Sequence, residues 1–366
     1  MTSSHHALAV DDPAALGFDP ARLQRVLAAI ELDIERGACD GAEIVVGRGG
    51  RVALHARRGY ADRAGNRPLG PDAVYASMSL GKQFVNVLVL ACVERGLLRL
   101  HAPVADVLPG FGMRGKERVT VAQLLTHTSG VVSAIPLLPV EDLVSIERLT
   151  RYTASTAPEF LPGTRVSYSV LAAHAVLASL VLAVDGRGRR FAQVLEDDLF
   201  RPLGMRDTSL GRRDDLYARL CPVVARYREP GLFDPQAIEG FGQTLGIPGA
   251  EAPAGGYLTT ASDIHRFAGM LRGRGALDGA RILAPATIDL ASRNHTGDAP
   301  NAMWDYAVAA RGWPPWPACV GLGPFVRGEA PAPGFFGALN SPRSFGAFGA
   351  GSTCFWVDPA HDVTFT

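Results

Sequence analysis

The sequence predicts an α+β fold in which a central antiparallel sheet is built from both ends of the chain. Two observations predict it. Apolar runs with the length and composition of strands occur near the amino terminus and again at residues 353–366. Between them, long apolar segments carry the spacing and end signals of helices. We therefore predict an α/β domain formed by residues 1–75 and 255–366, with a mostly helical domain, residues 76–254, inserted into it.

The first hundred residues predict a helix, a hairpin and a second helix. Residues 20–37 place apolar side chains at helical intervals and end on Gly37, a glycine suited to the C′ position. Residues 42–62 contain two apolar runs that flank Gly-Arg-Gly-Gly, a pattern typical of a β-hairpin. Residues 79–95 are nearly all apolar and are followed by Gly96, which indicates a helix buried in the core.

The remaining chain predicts shorter elements and the closing strands. Thr260 and Asp263 have the spacing of a capping box ahead of a helix that ends at Gly273. Three other features precede this helix: a short helix and turn at 120–130, a turn leading into an apolar helix at 162–184, and a turn-rich excursion that lines a pocket at 208–256. The closing strands, at 353–357 and 362–366, come after it.

The composition narrows the range of partners. The 36 basic and 36 acidic residues give a formal net charge of +0, so we expect neither nucleic acid nor an anionic membrane as a partner.

The five cysteines are widely spaced and lack zinc-site patterns, so we expect reduced thiols and no metal. The amino terminus lacks the basic and apolar regions of a signal peptide, and no apolar run is long enough to span a bilayer. We therefore expect a cytoplasmic protein.

The stretch SMSLGKQF, residues 77–84, contains one of only two lysines among the 36 Lys and Arg residues. If residues 79–95 are helical, Ser79 and Lys82 are neighbours on one face, with Cβ atoms roughly 5–6 Å apart. Ser77 is five residues from Lys82, about 140° round the helix, and it precedes the predicted helix start. The spacing therefore pairs Lys82 with Ser79.

A serine next to a lysine can be a nucleophile next to its base. The hydroxyl needs an adjacent base, and an amine serves only if its pKa falls toward neutrality. Arginine does not deprotonate in proteins, which explains a lysine in a chain that otherwise prefers arginine. The first turn of the helix also offers free N–H groups to a developing oxyanion, and Gly81 allows close approach of substrate or a neighbouring strand.

Several blocks of the sequence, in order, resemble the serine β-lactamase and penicillin-binding-protein superfamily, closest to its class C-like branch with family VIII carboxylesterases and related acyltransferases. They begin with VYASMSLGKQF and are followed by TVAQLLTHTSGV, PGTRVSYSV, APAGGYLTTASDIHRF and FGAFGAGSTCFWVDP. The resemblance implies a β-lactamase/transpeptidase-like fold and an acyl-enzyme mechanism that needs no cofactor. Ser79 would be the nucleophile, Lys82 its proton partner, and Tyr168 a proton shuttle whose phenol pKa is lowered by the nearby Lys82.

Two positions depart from the pattern of β-lactamases. Val170 stands where β-lactamases carry an asparagine that binds the substrate amide. Ala347-Phe348-Gly349 aligns with the third motif, whose usual cation or hydrogen-bond donor is missing. The resemblance therefore implies that Val170 and residues 347–349 contact a substrate without a carboxylate. It also implies an oxyanion hole formed by the backbone N–H groups of Ser79 and Ala350.

Two further features have competing interpretations. His127 belongs to a block shared with the family and is interpreted as mainly structural. The aromatic residues of segment 313–348 can line an acyl pocket or belong to the core; they are Trp313, Trp316, Phe325, Phe335, Phe336, Phe345 and Phe348.

These observations favour a serine hydrolase that acts on a small or apolar acyl ester. A biosynthetic acyltransferase or peptide cyclase would use the same acyl-enzyme, and a β-lactamase, a D-amino-acid peptidase or a non-catalytic binding protein on this fold are lesser alternatives. Family members continue past the last strand into a helix that covers the sheet, whereas this sequence stops at Thr366. If that face of the sheet is open, we expect another chain to cover it, as in an oligomer.

Overall fold

The computed structural model describes residues 8–227, 233–330 and 336–366. The strands in these ranges, in chain order, are β1 Gly41–Arg48, β2 Arg51–Asp62, β3 Arg67–Pro68, β4 Tyr75–Ala76, β5 Ser209–Leu210, β6 Tyr257–Thr259, β7 Ala276–Leu277, β8 Ala280–Arg281, β9 Phe325–Val326, β10 Phe345–Gly349, β11 Thr353–Asp358 and β12 Val363–Phe365.

The α-helices in the same ranges are α1 Pro20–Glu35, α2 Lys82–Glu94, α3 Val121–Leu125, α4 Val140–Leu143, α5 Ile146–Ser155, α6 Ala172–Asp185, α7 Phe191–Leu195, α8 Asp214–Tyr217, α9 Pro235–Thr244, α10 Ala261–Arg272, α11 Pro285–Ala291 and α12 Asp305–Ala310. Short 3₁₀ turns lie at Ala14–Leu16, Met78–Gly81, Val104–Asp106, Pro109–Phe111 and Ala302–Trp304, and a π turn at Glu196–Phe200. Among the helices described, none is long and apolar enough to cross a membrane.

One seven-stranded sheet joins the two ends of the chain, in the order β3-β2-β1-β12-β11-β10-β9. Its halves meet where β1 pairs antiparallel with β12, with Val46 opposite Phe365. The β1–β2 hairpin turns at Gly49 and Gly50, whose φ angles of 64° and 79° suit the type I′ turn that a two-residue hairpin loop favours. The predicted antiparallel sheet from both termini is confirmed.

Helices cover both faces of this sheet. On one face, Leu27 of α1 packs against Ile44 and Val46 of β1. On the other face, Phe267 of α10 meets Phe355 of β11 edge to face, with ring centroids 5.5 Å apart. The Thr260 side chain accepts a hydrogen bond from the Asp263 N–H, which confirms the predicted start of α10. The division of the chain into domains at residues 76 and 254 stays a prediction.

The predicted helix at 79–95 is wrong at its start. A 3₁₀ turn spans Met78–Gly81, and the α-helix begins only at Lys82. Met78, just before Ser79, has a φ of 49°, a left-handed conformation that non-glycine residues seldom adopt. The sharp turn lifts Ser79 to a half-buried position while its neighbours on both sides remain buried.

Gly81 lets strand β6 approach this turn. A Cβ atom at residue 81 would collide with the ring of Tyr257. Tyr257 is fully buried and cannot move aside, so we expect Gly81→Ala to lower the free energy of unfolding by about 1–3 kcal/mol through overpacking. Urea denaturation measures the change. Gly240→Ala is the matched control: it lies in α9 with open space around it and should be stabilising by about 0.5–1 kcal/mol.

Candidate active site

Lys82 lies at the head of α2 with 2% of its surface exposed. Its Nζ donates hydrogen bonds to Ser79 Oγ at 3.1 Å and to the backbone oxygens of Val170 and Ala254, each at 2.8 Å. The pairing of Lys82 with Ser79, predicted from spacing, is therefore present, and it bridges the junction between the 3₁₀ turn and α2. The two carbonyls fix the direction in which the amine points.

Burial lowers the pKa of Lys82 to about 7, because the charged ammonium is removed from water. A neutral amine has two hydrogens and one lone pair. When the carbonyls of Val170 and Ala254 accept those two hydrogens, the lone pair faces the Ser79 hydroxyl. This geometry suits a base that removes the proton of Ser79 near neutral pH.

Tyr168 completes the cluster around Ser79. Its hydroxyl is hydrogen-bonded to the Ser79 side chain, and its ring centroid lies 5.1 Å from Lys82 Nζ. The expectation that Lys82 lowers the phenol pKa is wrong. Tyr168 is buried, and desolvation raises its pKa above the ordinary value despite the hydrogen bond to Ser79, which lowers it. Tyr168 is therefore a phenol that keeps its proton at neutral pH.

Ser77 has a structural position. It is fully buried, and its hydroxyl donates to the Met78 oxygen at 3.0 Å. Its own backbone oxygen accepts a hydrogen bond from the Thr353 hydroxyl at 2.7 Å, which ties the start of the Met78–Gly81 turn to β11. The geometry thus leaves Ser79 as the serine that reaches Lys82.

The third motif lies on β10 and its following turn. Ala347 is 2% exposed and packs in the main core, so its side chain is not available to a substrate. A Cβ atom on Gly349 would collide with the Ser77 oxygen, so glycine lets β10 pack directly against the start of the Met78–Gly81 turn. Ala350 follows this contact. Its role in an oxyanion hole with Ser79 stays a prediction, as do substrate contacts by Val170, Phe348 and Gly349. At Ala347 only a backbone contact with substrate remains as a prediction.

Three aromatic side chains, which we call the aromatic wall, lie beside Tyr168: Trp304, Phe325 and Phe348. The Phe325 ring stacks 6.0 Å from Tyr168, and Phe348 and Trp304 lie 5.1 and 5.7 Å from Phe325. The wall belongs to a mostly apolar cluster that also contains the side chains of Val170 and Phe336.

The aromatic residues of segment 313–348 therefore divide between several environments. Phe325, Phe336 and Phe348 pack in the cluster around Tyr168, whereas Phe345 belongs to the main core. Trp313 is exposed and pairs with Trp316 at 5.9 Å. Phe335 lies outside the described residues.

His127 supports the segment that carries Tyr168. Its Nδ1 accepts the Ser169 N–H at 3.0 Å, and its ring packs 4.5 Å from the Tyr168 ring. Burial lowers the His127 pKa to about 3, so the imidazole is neutral at physiological pH. These contacts agree with the structural interpretation of His127.

The Ala254 carbonyl and Trp304 are among the groups at the site that were not predicted from the sequence. The Ala254 carbonyl holds Lys82, and Ala254 stands in the block APAGGYLTT, but a backbone acceptor in a loop has no residue-type signature. Trp304 precedes the aromatic segment singled out from composition and stacks on Phe325, which in turn stacks on Tyr168. Across residues 8–227, 233–330 and 336–366, no cluster of His, Cys, Asp and Glu side chains could hold a metal ion.

The fold and the Ser-Lys-Tyr cluster together define a class, the β-lactamase/transpeptidase-like proteins. The profile of the family described as beta-lactamase matches residues 26–366. The chain therefore belongs to the beta-lactamase family, as the sequence blocks predicted.

Its relatives include penicillin-binding proteins and esterases. Penicillin-binding protein 4 of Amycolatopsis lactamdurans is 31% identical over 246 residues, which cover 66% of this chain and 61% of that protein. Esterase EstB of Burkholderia gladioli is 33% identical over 214 residues, 54% of each chain. The matched region thus spans less than two thirds of either relative. The crystal structure of a family VIII carboxylesterase superposes with a TM-score of 0.75 at 22% identity, over 95% of this chain and 90% of the other, and confirms the fold.

Proposed function

We propose that the protein is a serine hydrolase of the carboxylesterase type, with the acyl-enzyme formed on Ser79. One observation carries the proposal: the buried Lys82 amine, with a pKa of about 7, lies 3.1 Å from a Ser79 hydroxyl that also bonds Tyr168. Membership of the beta-lactamase family and the similarity to an esterase support hydrolysis.

The proposed acylation moves one proton in two stages. Ser79 Oγ attacks the ester carbonyl while its proton passes to neutral Lys82, and the N–H groups of Ser79 and Ala350 stabilise the oxyanion. Tyr168 then donates its proton to the departing alkoxide and regains one from the Lys82 ammonium. Water repeats the sequence in deacylation, with Ser79 as the leaving group.

The surroundings of the site favour a neutral, apolar acyl group. Ala347 provides no cation for a substrate carboxylate, in contrast to what penicillins require of this motif. Within the aromatic wall, Trp304 and Phe348 are half-buried and offer apolar surface near Tyr168. We therefore propose small apolar or aromatic esters as the substrate class.

Parallel assays of p-nitrophenyl esters and nitrocefin test this assignment. We expect ester turnover that depends on Ser79 and increases when acetate is replaced by a longer or aromatic acyl group. Nitrocefin turnover comparable to ester turnover would instead identify a β-lactamase. A protein that turns over neither probe would support a binding role.

Acyl transfer to an amine or alcohol is the second candidate. The aromatic wall favours it, because apolar surface beside an acyl-enzyme excludes water and binds an apolar acceptor. Incubation with an acyl thioester and candidate amines, followed by mass spectrometry, separates the two. Amide product supports transfer, and free acid as sole product supports hydrolysis.

The kcat/KM for ester hydrolysis should rise with pH along a single sigmoid with an apparent pKa of about 7. The neutral amine of Lys82 is the active form, so activity is low below this value and full above it. Burial raises the pKa of Tyr168 and keeps its proton in place, so we expect no fall between pH 8 and about 9. Stopped-flow or steady-state profiles measure this, and a bell-shaped curve in that range would contradict it.

Asp263 provides the control for this profile. It is a buried carboxyl of α10 whose pKa is raised by burial to about 7, and it accepts hydrogen bonds from Asp207 N–H and the Thr208 hydroxyl. Asp263→Asn removes this titration and keeps an acceptor oxygen. The apparent pKa of kcat/KM should stay unchanged in this variant, whereas its loss would assign the titration to Asp263.

A further inference from the structure

Tyr168 lies on a segment without regular secondary structure. Residues 161–171 form turns and coil, with one bridge between Val166 and Asn301 before α6 begins at Ala172. Neither a helix nor a sheet therefore sets the position of the phenol. Individual hydrogen bonds to the backbone, together with the ring contacts to His127 and Phe325, set it.

Four successive backbone N–H groups of this segment have acceptors outside it. The N–H of Ser167 donates to the His127 oxygen at 2.9 Å, and that of Tyr168 donates to Asn301 Oδ1 at 3.1 Å. The N–H of Ser169 donates to His127 Nδ1 at 3.0 Å, and that of Val170 donates to the Ser133 oxygen at 2.9 Å. Two of these acceptors are side-chain atoms, one from His127 and one from Asn301. The acceptor for the N–H of Tyr168 itself is the side-chain oxygen of Asn301.

Asn301 is 4% exposed and joins two parts of the site. Its Oδ1 also accepts the Met303 N–H at 3.3 Å, and the adjacent Ala302 N–H donates to the Val166 oxygen at 2.9 Å. The same 3₁₀ turn carries Trp304 of the aromatic wall. One amide oxygen thus connects the Tyr168 backbone with the turn that presents Trp304.

The other half of the Asn301 amide is unsatisfied. Its Nδ2 is buried and has no hydrogen-bond partner in the described part of the chain. A buried donor without a partner costs stability. The cap at Met303 needs only a short acceptor such as a serine hydroxyl, whereas the bond to the Tyr168 N–H needs the longer reach of the amide.

We propose that Asn301 is a positioning residue that holds Tyr168 for proton donation to the leaving group. This inference rests on the proposed esterase function. Without the Oδ1 acceptor, the Tyr168 segment relaxes and the phenol loses its alignment with Ser79 and the departing oxygen. A displacement of about 1 Å in such a group can cost about 10²-fold in rate.

The test compares two substrates that share an acyl group. A p-nitrophenyl ester has a leaving group that departs without a proton, whereas the ethyl ester needs one. In Asn301→Ala we expect kcat/KM to fall about 10- to 100-fold for the ethyl ester and less than about threefold for the p-nitrophenyl ester. Asn301→Ser should behave alike, because its shorter hydroxyl can cap the turn at Met303 but does not reach Tyr168. Equal losses for both esters, or no loss, would overturn the proposal.

Asn294→Ala is the matched control. Asn294 Oδ1 accepts the N–H of Thr296 two residues on, at 3.0 Å, as Asn301 Oδ1 does with Met303, and the structure gives it no contact with Tyr168. We expect both esters to keep wild-type kcat/KM in this variant. A changed ratio of the two values would mean that loss of any such turn disturbs the site, and it would overturn a specific role for Asn301.

A double-mutant cycle with Tyr168→Phe completes the test. If Asn301 acts through the phenol, Asn301→Ala should change the ethyl ester rate less than about twofold once the hydroxyl is absent. A full additional loss would overturn the proposal. Failure of the esterase assignment is recognised separately, because the wild-type protein would then hydrolyse neither ester and would not label at Ser79 with a fluorophosphonate.

Discussion

Lys82→Arg should lower the kcat/KM for ester hydrolysis by about 10²–10⁴-fold, the contribution typical of a positioned general base. The guanidinium stays protonated, so it cannot take the Ser79 proton at any accessible pH. The pH dependence near 7 should disappear with the activity, because it arises from the buried Lys82 amine. Steady-state kinetics with a p-nitrophenyl ester, per mole of folded protein, measures both effects.

The other lysine of the chain supplies the matched control. Lys116 is also buried, and its Nζ also donates to two backbone oxygens, those of Ala154 and Thr156. Lys116→Arg therefore imposes the same change of side chain at a site without a serine partner. We expect a lower melting temperature but an unchanged kcat/KM. A similar loss of activity in both variants would mean that the Lys82 effect is one of packing.

Tyr168→Phe should lower kcat/KM for an ethyl ester by about 10²–10⁴-fold and for the matching p-nitrophenyl ester by much less. Burial raises the pKa of Tyr168 and keeps its phenol protonated. In the proposed mechanism Tyr168 donates this proton, and only the poorer leaving group requires it. The ring contacts with His127 and Phe325 survive in phenylalanine, so the melting temperature should change little. Kinetics on the ester pair, combined with thermal denaturation, separates chemistry from folding.

Tyr152→Phe provides the comparison. Tyr152 lies on α5 and packs against the same apolar cluster as Tyr168. We expect it to keep the wild-type preference between the two esters. If Tyr168→Phe leaves the ethyl ester rate within about threefold of wild type, Tyr168 does not supply the leaving-group proton.

The parts of the site that could be predicted from the sequence are local in the chain. Ser79 and Lys82 are three residues apart, and any helical turn brings such side chains together. The prediction therefore held although the turn is 3₁₀ rather than α. Tyr168 is 86 residues from Lys82 and was identified only by the resemblance of its block to a family.

The parts that were missed depend on tertiary structure. The acceptors at Val170 and Ala254 are backbone atoms whose use is set by the path of two loops. The direction in which the Tyr168 pKa shifts depends on the balance between burial and nearby charge. A sequence motif shows the nearby lysine, but it does not show that the phenol is removed from water.

In the fold, too, elements with a strong local sequence pattern were predicted, and elements without one were missed. Strand runs at both ends predicted the sheet, because β1 and β12 each carry a strong β pattern. The short helices α4 and α5 lie between the elements that the sequence predicted at 120–130 and at 162–184. α4 is only four residues long, and α5 is mostly polar, so neither helix carries the long apolar run that predicted the other helices.

The most direct test of the central claim is an intact-mass measurement after treatment with a fluorophosphonate, with the modified residue located by peptide mapping. We expect one adduct per chain on Ser79, no adduct in Ser79→Ala, and normal labelling in Ser77→Ala, because Ser77 is fully buried. Labelling that persists in Ser79→Ala, or an adduct on another residue, would contradict it.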